Sequence, residues 1–297
     1  MKTDYHTPVL LSEITEYLRI KKGEKYIDAT LGGGGHTEEF LKRGGIVLGI
    51  DTDQDAIFYA TKKIGRNNNF VAYKGNFKDI EEIAHLKEFT EVRGVVFDLG
   101  VSSHQIDTPN RGFSFLKQGP LDMRMDRSLG VKARDLVNIL TKGELYELFN
   151  KLGQEHRARS ISDTIIRTRR VKQIETTKDL GDVIKEAYGI RDEEIADFKK
   201  NELFKRVFQG LRIAVNNELE NIEQALPQAM NILKRNGRIA VISFHSLEDK
   251  IVKDMFRKFE DENMGIIITK KPILPSEKEQ KENPRSKSAK LRIFEKN

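Results

Sequence analysis

Three aspartates and a run of glycines carry the chemistry that can be read first. Asp28 closes the apolar run "KYID", and Gly32–Gly35 follow shortly after, just before the helix-like "HTEEFLKR". Glycines between a strand and a helix leave backbone N–H groups exposed and let a ligand approach closely. Asp51 ends the next apolar run, nineteen residues after Gly32. A carboxylate there can accept from both hydroxyls of a ribose. A ribose diol beside a glycine turn fits NAD, FAD or S-adenosylmethionine. The dinucleotide fingerprint G-x-G-x-x-G is incomplete, because Thr37 stands where its third glycine would be. Asp28 instead begins D-x-x-x-G-x-G, which looks like an S-adenosylmethionine turn. The alternative is a flexible loop with a solvated aspartate.

Asp98 ends a fourth apolar run in "VVFDLGVSSHQ". In open α/β sheets ligands sit beyond the C-terminal ends of the strands, so Asp98, Ser102, Ser103 and Gln105 are expected at the same cleft as Gly34 and Asp51. Amino-group methyltransferases carry Asp-Pro-Pro-aromatic here to position the amine. This chain reads Asp98-Leu99-Gly100-Val101, which keeps the leading acid and changes the loop. His245, in "SFHSLED", is a second catalytic candidate as general base, although Ser246 to Asp249 also spell a helix-capping start. The six histidines show no paired ligand spacing and there is no cysteine, so no metal site is expected.

Elements must hold these groups in place. The first hundred or so residues alternate short β-branched runs with helical spacing, which predicts a parallel sheet covered by helices on both faces. From 110 to 212 no strand signal is evident and the sequence is charged and helix-rich, with no proline between Pro120 and Pro227. The expected organisation is an α/β domain over 1–109 and 213–297, interrupted by an all-helical inserted domain over 110–212. A long helix is predicted to run from 211 to a stop at Asn236–Gly237. The strand "RIAVISF" follows, and "GIIITKK" and "AKLRIFEK" suit an antiparallel pair.

The net charge is +6 with a pI near 9.2. Its placement points to a polyanion: "HRARSISDTIIRTRRVK" (156–172) holds six Lys/Arg against one acid. Arginine dominates that run, and its planar fork suits phosphate. Arg157, Arg159, Arg167, Arg169 and Arg170 are therefore candidates for contact with a polyanion, the alternative being a solvated helix face. Arg124, in "GPLDMRMD", is another, and Phe113 and Phe115, in "RGFSF", could stack on a base. No run of eighteen apolar residues exists, so no membrane span is expected. The first residues show no secretory pattern, and a cytoplasmic location is expected.

Eight ordered blocks give the chain a family likeness. "HTPVLLSE", "GGGGHT", "DLGVSS", "RGFSF", "GPLDMRMD", "LRIAVNNELE", "SFHSLED" and "NPRSKSAKLR" resemble the bacterial ribosomal small-subunit methyltransferase H family over nearly the whole chain. The resemblance implies S-adenosylmethionine-dependent N4-methylation of one cytidine in 16S rRNA near the ribosomal P site, in small-subunit maturation. It also implies a Rossmann-like methyltransferase domain with a helical insertion. It carries the cofactor contacts onto Gly34, Gly35, His36, Asp51, Phe77, Asp98 and Gln105. One block departs: relatives read Arg-Thr-Phe-Gln-Ala before "LRI", whereas this chain has Arg206 to Gly210 as Arg-Val-Phe-Gln-Gly. The expected partner is 16S rRNA in the small subunit, and a homodimer is compatible with the sequence.

Overall fold

The computed structural model describes residues 8–190 and 197–297. The chain divides into two compact units, one formed by the chain up to Ser102 with Leu219–Asn297, the other by Ser103–Glu218. The sequence reading draws these boundaries at 109/110 and 212/213, a few residues inside the second unit.

In chain order the first stretch runs α1 (Leu11–Tyr17), β1 (Lys25–Asp28), α2 (Gly35–Lys42), β2 (Ile46–Asp51), α3 (Gln54–Ile64), β3 (Phe70–Lys74), α4 (Ile80–Leu86) and β4 (Val92–Asp98). The helices α5 (Ser103–Asp107), α6 (Ala133–Ile139), α7 (Lys142–Glu147), α8 (Ala158–Arg169), α9 (Thr177–Tyr188) and α10 (Asp197–Asn216) follow. The chain ends with α11 (Glu218–Ile232), β5 (Leu233–Ser243), α12 (Ser246–Asp261), β6 (Gly265–Ile267), α13 (Glu277–Glu282) and β7 (Lys290–Lys296).

In the first unit the strands form one sheet in the order β3-β2-β1-β4-β5-β7-β6. The first five are parallel, and β7 runs antiparallel between β5 and β6. This is a Rossmann-like α/β fold. The parallel strands are apolar because both faces are covered. On one face Ile27, Leu48, Val95 and Val241 pack with Ala84 of α4, Ala225 and Ala229 of α11 and Phe256 of α12. On the other, Val47, Val96 and Ile293 pack with Ile14 of α1 and Phe40 of α2. The chain winds outward from β1 through β2 to β3, then returns to β4 beside β1. That reversal is the topological switch point where a crevice opens beyond the strand ends. Asp28 and Asp98 stand at its two sides.

One predicted helix is corrected at both ends. It is not continuous from 211, since α10 ends at Asn216 and Asn217 has φ 49°, and it does not run to Asn236–Gly237; α11 stops at Ile232 and β5 starts at Leu233. Asn236 has φ 58°, and the β4–β5 register shifts between Val92↔Leu233 and Gly94↔Arg238. The Asn-Gly pair therefore makes a strand irregularity instead of a helix stop.

The second unit is helical, with a π-helical segment at Leu148–Leu152 and an isolated bridge between Pro120 and Thr176. Three of the sequence blocks knit together here. Buried Arg111 donates through Nη2 to the carbonyls of Arg124 (3.1 Å) and Met125 (2.9 Å). Asn216 donates to the Met123 carbonyl at 2.8 Å and accepts from the Met125 N–H at 2.7 Å. The departure at Gly210 has a packing consequence: a Cβ there would lie 3.0 Å from the backbone nitrogen of Gly153. The two glycines let α10 approach the end of the π-helical segment closely.

Candidate active site

The site is built on the C-terminal ends of β1, β2 and β4. Leu31 extends the turn after β1, donating its N–H to the Ile50 carbonyl at 2.8 Å, and its side chain sits where a Cβ on Gly49 would clash at 2.6 Å. The turn closes with the Gly34 N–H donating to the Leu31 carbonyl at 2.7 Å. Gly34 then has φ 71°, left-handed backbone that favours glycine, and its missing Cβ would meet Ala60 Cβ at 3.3 Å. A Cβ on Gly35 would meet Pro8 Cγ at 2.9 Å. The side-chain faces of these glycines are thus covered by α3 and Pro8, so any cofactor contact from them is through backbone.

Asp28 is buried and ties the turn from below. Its Oδ2 accepts the Thr37 hydroxyl at 2.7 Å and its Oδ1 accepts the Thr30 N–H at 3.4 Å. Burial pushes its carboxyl above the usual range, against the opposing pull of His36, Thr37 and Thr30, and the nearby Asp98 charge adds to the rise. His36 is also buried. Its Nε2 lies 3.1 Å from the Val9 carbonyl, which can only accept, so Nε2 carries the hydrogen. Its Nδ1 faces Asp98 Oδ2 at 3.9 Å. The backbone N–H of Asp98 is held by Thr30 Oγ1 at 2.6 Å, which anchors the end of β4 to the glycine turn.

Asp51 crosses from β2 to the same turn. Its Oδ2 accepts the Gly32 N–H at 2.8 Å and its Oδ1 accepts the Asp53 N–H at 2.8 Å. Burial pushes its carboxyl up to about 6, only partly offset by those two hydrogen bonds. Each oxygen spends one acceptor position on backbone, and a carboxylate has about four. The remaining capacity fits the two adjacent hydroxyls of a ribose, whose donors would hold the ionised form. Phe77 follows β3 and packs edge-on against Phe97, with ring centroids 5.7 Å apart. It is half-buried and offers an apolar face suited to adenine.

The structure brings together Asp28, His36 and Asp98, and separately Gly32 with Asp51. Gln105, on α5, belongs to the second unit, where it is buried. His245 takes a structural position. It is the N-cap of α12, accepting the Glu248 N–H on Nδ1 at 3.4 Å, while its Nε2 lies 3.1 Å from Glu248 Oε1. Both ring nitrogens thus face one glutamate of a capping box. Sequence reasoning passed over Thr30, and it noticed Thr37 only as a missing glycine. Pro8 and Val9 were visible only as part of the first block.

The RNA candidates lie in the second unit and fall into two groups. Arg124 grips Asp122 through Nε at 2.7 Å and Nη2 at 2.9 Å, and donates Nη1 to the carbonyls of Arg127 and Leu129. Arg169 donates to the carbonyls of Val137 and Leu140. Arg157 lies over the Tyr188 ring at 4.6 Å, and Arg167 pairs with Glu186. Phe113 is buried beside Arg111, and Phe115 packs on Phe204 and Phe208. Arg159 and Arg170 are exposed and have no acidic partner among the described residues.

A dehydrogenase-type Rossmann sheet does not account for β7 running antiparallel between β5 and β6, nor for Thr37 holding Asp28 where a fingerprint glycine would sit. With the family match that follows, the fold is that of a Rossmann-like methyltransferase, with S-adenosylmethionine as its cofactor. Residues 3–297 match the MraW methylase family, and the chain belongs to that family. It is 43% identical to the ribosomal RNA small subunit methyltransferase H of Carboxydothermus hydrogenoformans, over 98% of this chain and 97% of that protein. It is 44% identical to the protein of the same description from Persephonella marina, over 97% and 98%. The counterpart from Coprothermobacter proteolyticus is 41% identical over 98% and 96%. No described helix is long and apolar enough to cross a membrane.

Proposed function

We propose that the protein methylates N4 of one cytidine in 16S rRNA, near the P site of the small ribosomal subunit, during subunit maturation in the cytoplasm. Family membership and the descriptions of the relatives support rRNA as the substrate. The observation that carries the chemistry is Asp98, whose backbone is pinned by Thr30 and whose carboxylate faces His36 at the switch point of the sheet.

Bound at this turn, S-adenosylmethionine supplies an electrophilic methyl group on a sulfonium. Asp51 would hold its ribose, Phe77 its adenine, and Gly34, Gly35 and His36 the remainder. The N4 amine of cytosine is a poor nucleophile, because its lone pair is delocalised into the ring. Asp98 would accept an amine hydrogen, localising that lone pair for in-line attack and taking the proton as the nitrogen gains its methyl. His36, fixed by the Val9 carbonyl, would border Asp98, with its Nδ1 at 3.9 Å from Oδ2.

The target base must leave its stack to reach such a site. Arg159 and Arg170 are the arginines of the basic run best placed to meet phosphate. The folded subunit is the expected substrate, since a helical unit reads shape more readily than sequence. The test is methyl transfer to small subunits lacking the modification, with naked 16S rRNA in parallel and mass-spectrometric mapping of the product. Transfer to N4 of a single cytidine is the expected result. No transfer to either RNA substrate defeats the reading.

A further inference from the structure

A concavity of about 220 Å³ lies on the outer edge of the first unit's sheet, away from the glycine turn. It is lined by Lys253, Phe256 and Arg257 of α12, by Thr269 and Lys270 in the chain after β6, and by Arg292 of β7. Its lining carries four cations, Lys253, Arg257, Lys270 and Arg292, against Glu260 alone.

One of these charges is paired and three are not. Arg292 spends its guanidinium on Asp249, at 2.7 and 3.2 Å, and Lys290 draws on the same carboxylate. Asp249 is the acid four residues before Lys253 and is thereby occupied. Glu260, three residues after Arg257, accepts the Ile267 N–H at 2.9 Å. Lys253, Arg257 and Lys270 have no acidic partner among the described residues. Lys253 and Arg257 are also four apart on one helix face, where like charges repel and destabilise a helix. An anion in the groove would remove that repulsion.

The groove's level on the sheet points to the kind of anion. Asp98 pairs across β4 with Ile242 of β5, and Ile242 pairs with Leu291 of β7, the residue before Arg292. The Arg292 side of the groove therefore lies near the level of the end of β4 and two strands from it, and the wall beyond β6 lies one strand further out, about 14 Å from β4 at the usual strand spacing. We infer that this groove binds the phosphodiester backbone of the RNA chain flanking the target nucleotide, through Lys253, Arg257 and Lys270. It rests on the rRNA reading above, and adds a contact surface on the cofactor-binding unit.

The test compares wild type with the variant Lys253→Glu/Arg257→Glu/Lys270→Glu in binding to the small subunit over a salt series. Each lost phosphate contact lowers the log–log salt slope by roughly 0.7–0.9. The variant is expected to bind at least about tenfold more weakly, with a slope shallower by about 2 and unchanged S-adenosylmethionine affinity. Lys258→Glu, on the same helix outside the groove, reverses one charge and is expected to leave the slope unchanged. Because the chain has no cysteine, a photocrosslinker on Lys270→Cys reads the contact directly and should attach to 16S rRNA. Equal affinity and slope in the triple variant, an equal slope change in Lys258→Glu, or crosslinking only to ribosomal protein overturns the groove while wild-type methylation stands. Absence of methylation by wild type overturns the parent reading, and the groove with it.

Discussion

The Thr37 hydroxyl donates to Asp28 Oδ2 at 2.7 Å, joining the first turn of α2 to the end of β1 beneath the glycine run. Thr37 is fully buried and Asp28 nearly so, so neither group has water as a substitute. Thr37→Val keeps the shape and removes the donor. It should destabilise the protein by about 1–3 kcal/mol, the range for leaving a buried polar group unsatisfied. Thr37→Ser should recover most of the loss. Thermal unfolding of the three proteins is the measurement, and a Val variant as stable as wild type would show that Asp28 does not depend on this bond.

With Asp51 holding the cofactor ribose as proposed, cofactor binding should depend on pH. The Asp51 carboxyl sits at about 6 against an ordinary 3.8, chiefly because of burial. The folded protein thus holds its proton more tightly than the unfolded chain, so this group's contribution to cofactor-free stability falls as pH rises from 3.8 through 6. Ribose hydroxyls donate to the ionised form, so binding works in the opposite sense and requires loss of that proton. Affinity for S-adenosylmethionine should be flat above pH 7 and weaken by up to about tenfold per pH unit below 6. Calorimetric titration from pH 5 to 8 reads this directly. Asp51→Asn should bind weakly at every pH with the dependence gone.

Gly34 and Gly35 are glycines for reasons of fold. A side chain at position 34 meets left-handed backbone and Ala60 Cβ at 3.3 Å, and one at position 35 meets Pro8 at 2.9 Å. A β-branched residue strains the left-handed conformation by about 1–3 kcal/mol. Gly34→Val should therefore lower the melting temperature and abolish cofactor binding together. A variant that lost binding at full stability would mean that the residue touches the ligand itself.

The parts of this site that were legible in sequence are those where an acid ends an apolar run. Asp28, Asp51 and Asp98 each close a parallel strand, and strand ends are where such sheets place ligands. The antiparallel pairing of β6 with β7 was legible from two short runs near the end of the chain. What escaped was the use of polar groups by partners distant in sequence. Alternating charge in "DMRMD" cannot say that Arg124 folds back onto Asp122 and two carbonyls. His245 reads alike as base or cap, and the Glu248 N–H on its Nδ1 shows that it caps α12. Asn236–Gly237 is the same dipeptide at a helix end and in a strand irregularity, and the neighbouring strand β4 decided between them.

Within the basic run, the structure separates arginines that hold the helical unit together from those turned to solvent. Arg159→Glu with Arg170→Glu should weaken binding to the small subunit without lowering the melting temperature, and should reduce the salt slope by about 1–2. Arg169→Glu should instead destabilise the fold, since its Nη1 holds the carbonyls of Val137 and Leu140. Salt-series binding and thermal unfolding on the same preparations separate the two effects. Unchanged RNA affinity in the double variant would remove α8 from the RNA-binding surface.

Asp98 separates chemistry from cofactor holding. Its backbone is fixed by Thr30 Oγ1, so Asp98→Asn should keep the end of β4 in place. The amide retains an acceptor oxygen but cannot take a proton. If Asp98 receives the amine proton, single-turnover methyl transfer should fall by about 10²–10⁴-fold, the usual worth of a general base. Affinity for S-adenosylmethionine should change little. A variant losing cofactor affinity and rate in equal measure would assign Asp98 to the cofactor alone. Thr30→Val sharpens the comparison, because it leaves the carboxylate and releases only the 2.6 Å bond that positions it. Its rate should lie between those of wild type and Asp98→Asn, since a misplaced carboxylate still accepts a proton whereas an amide does not.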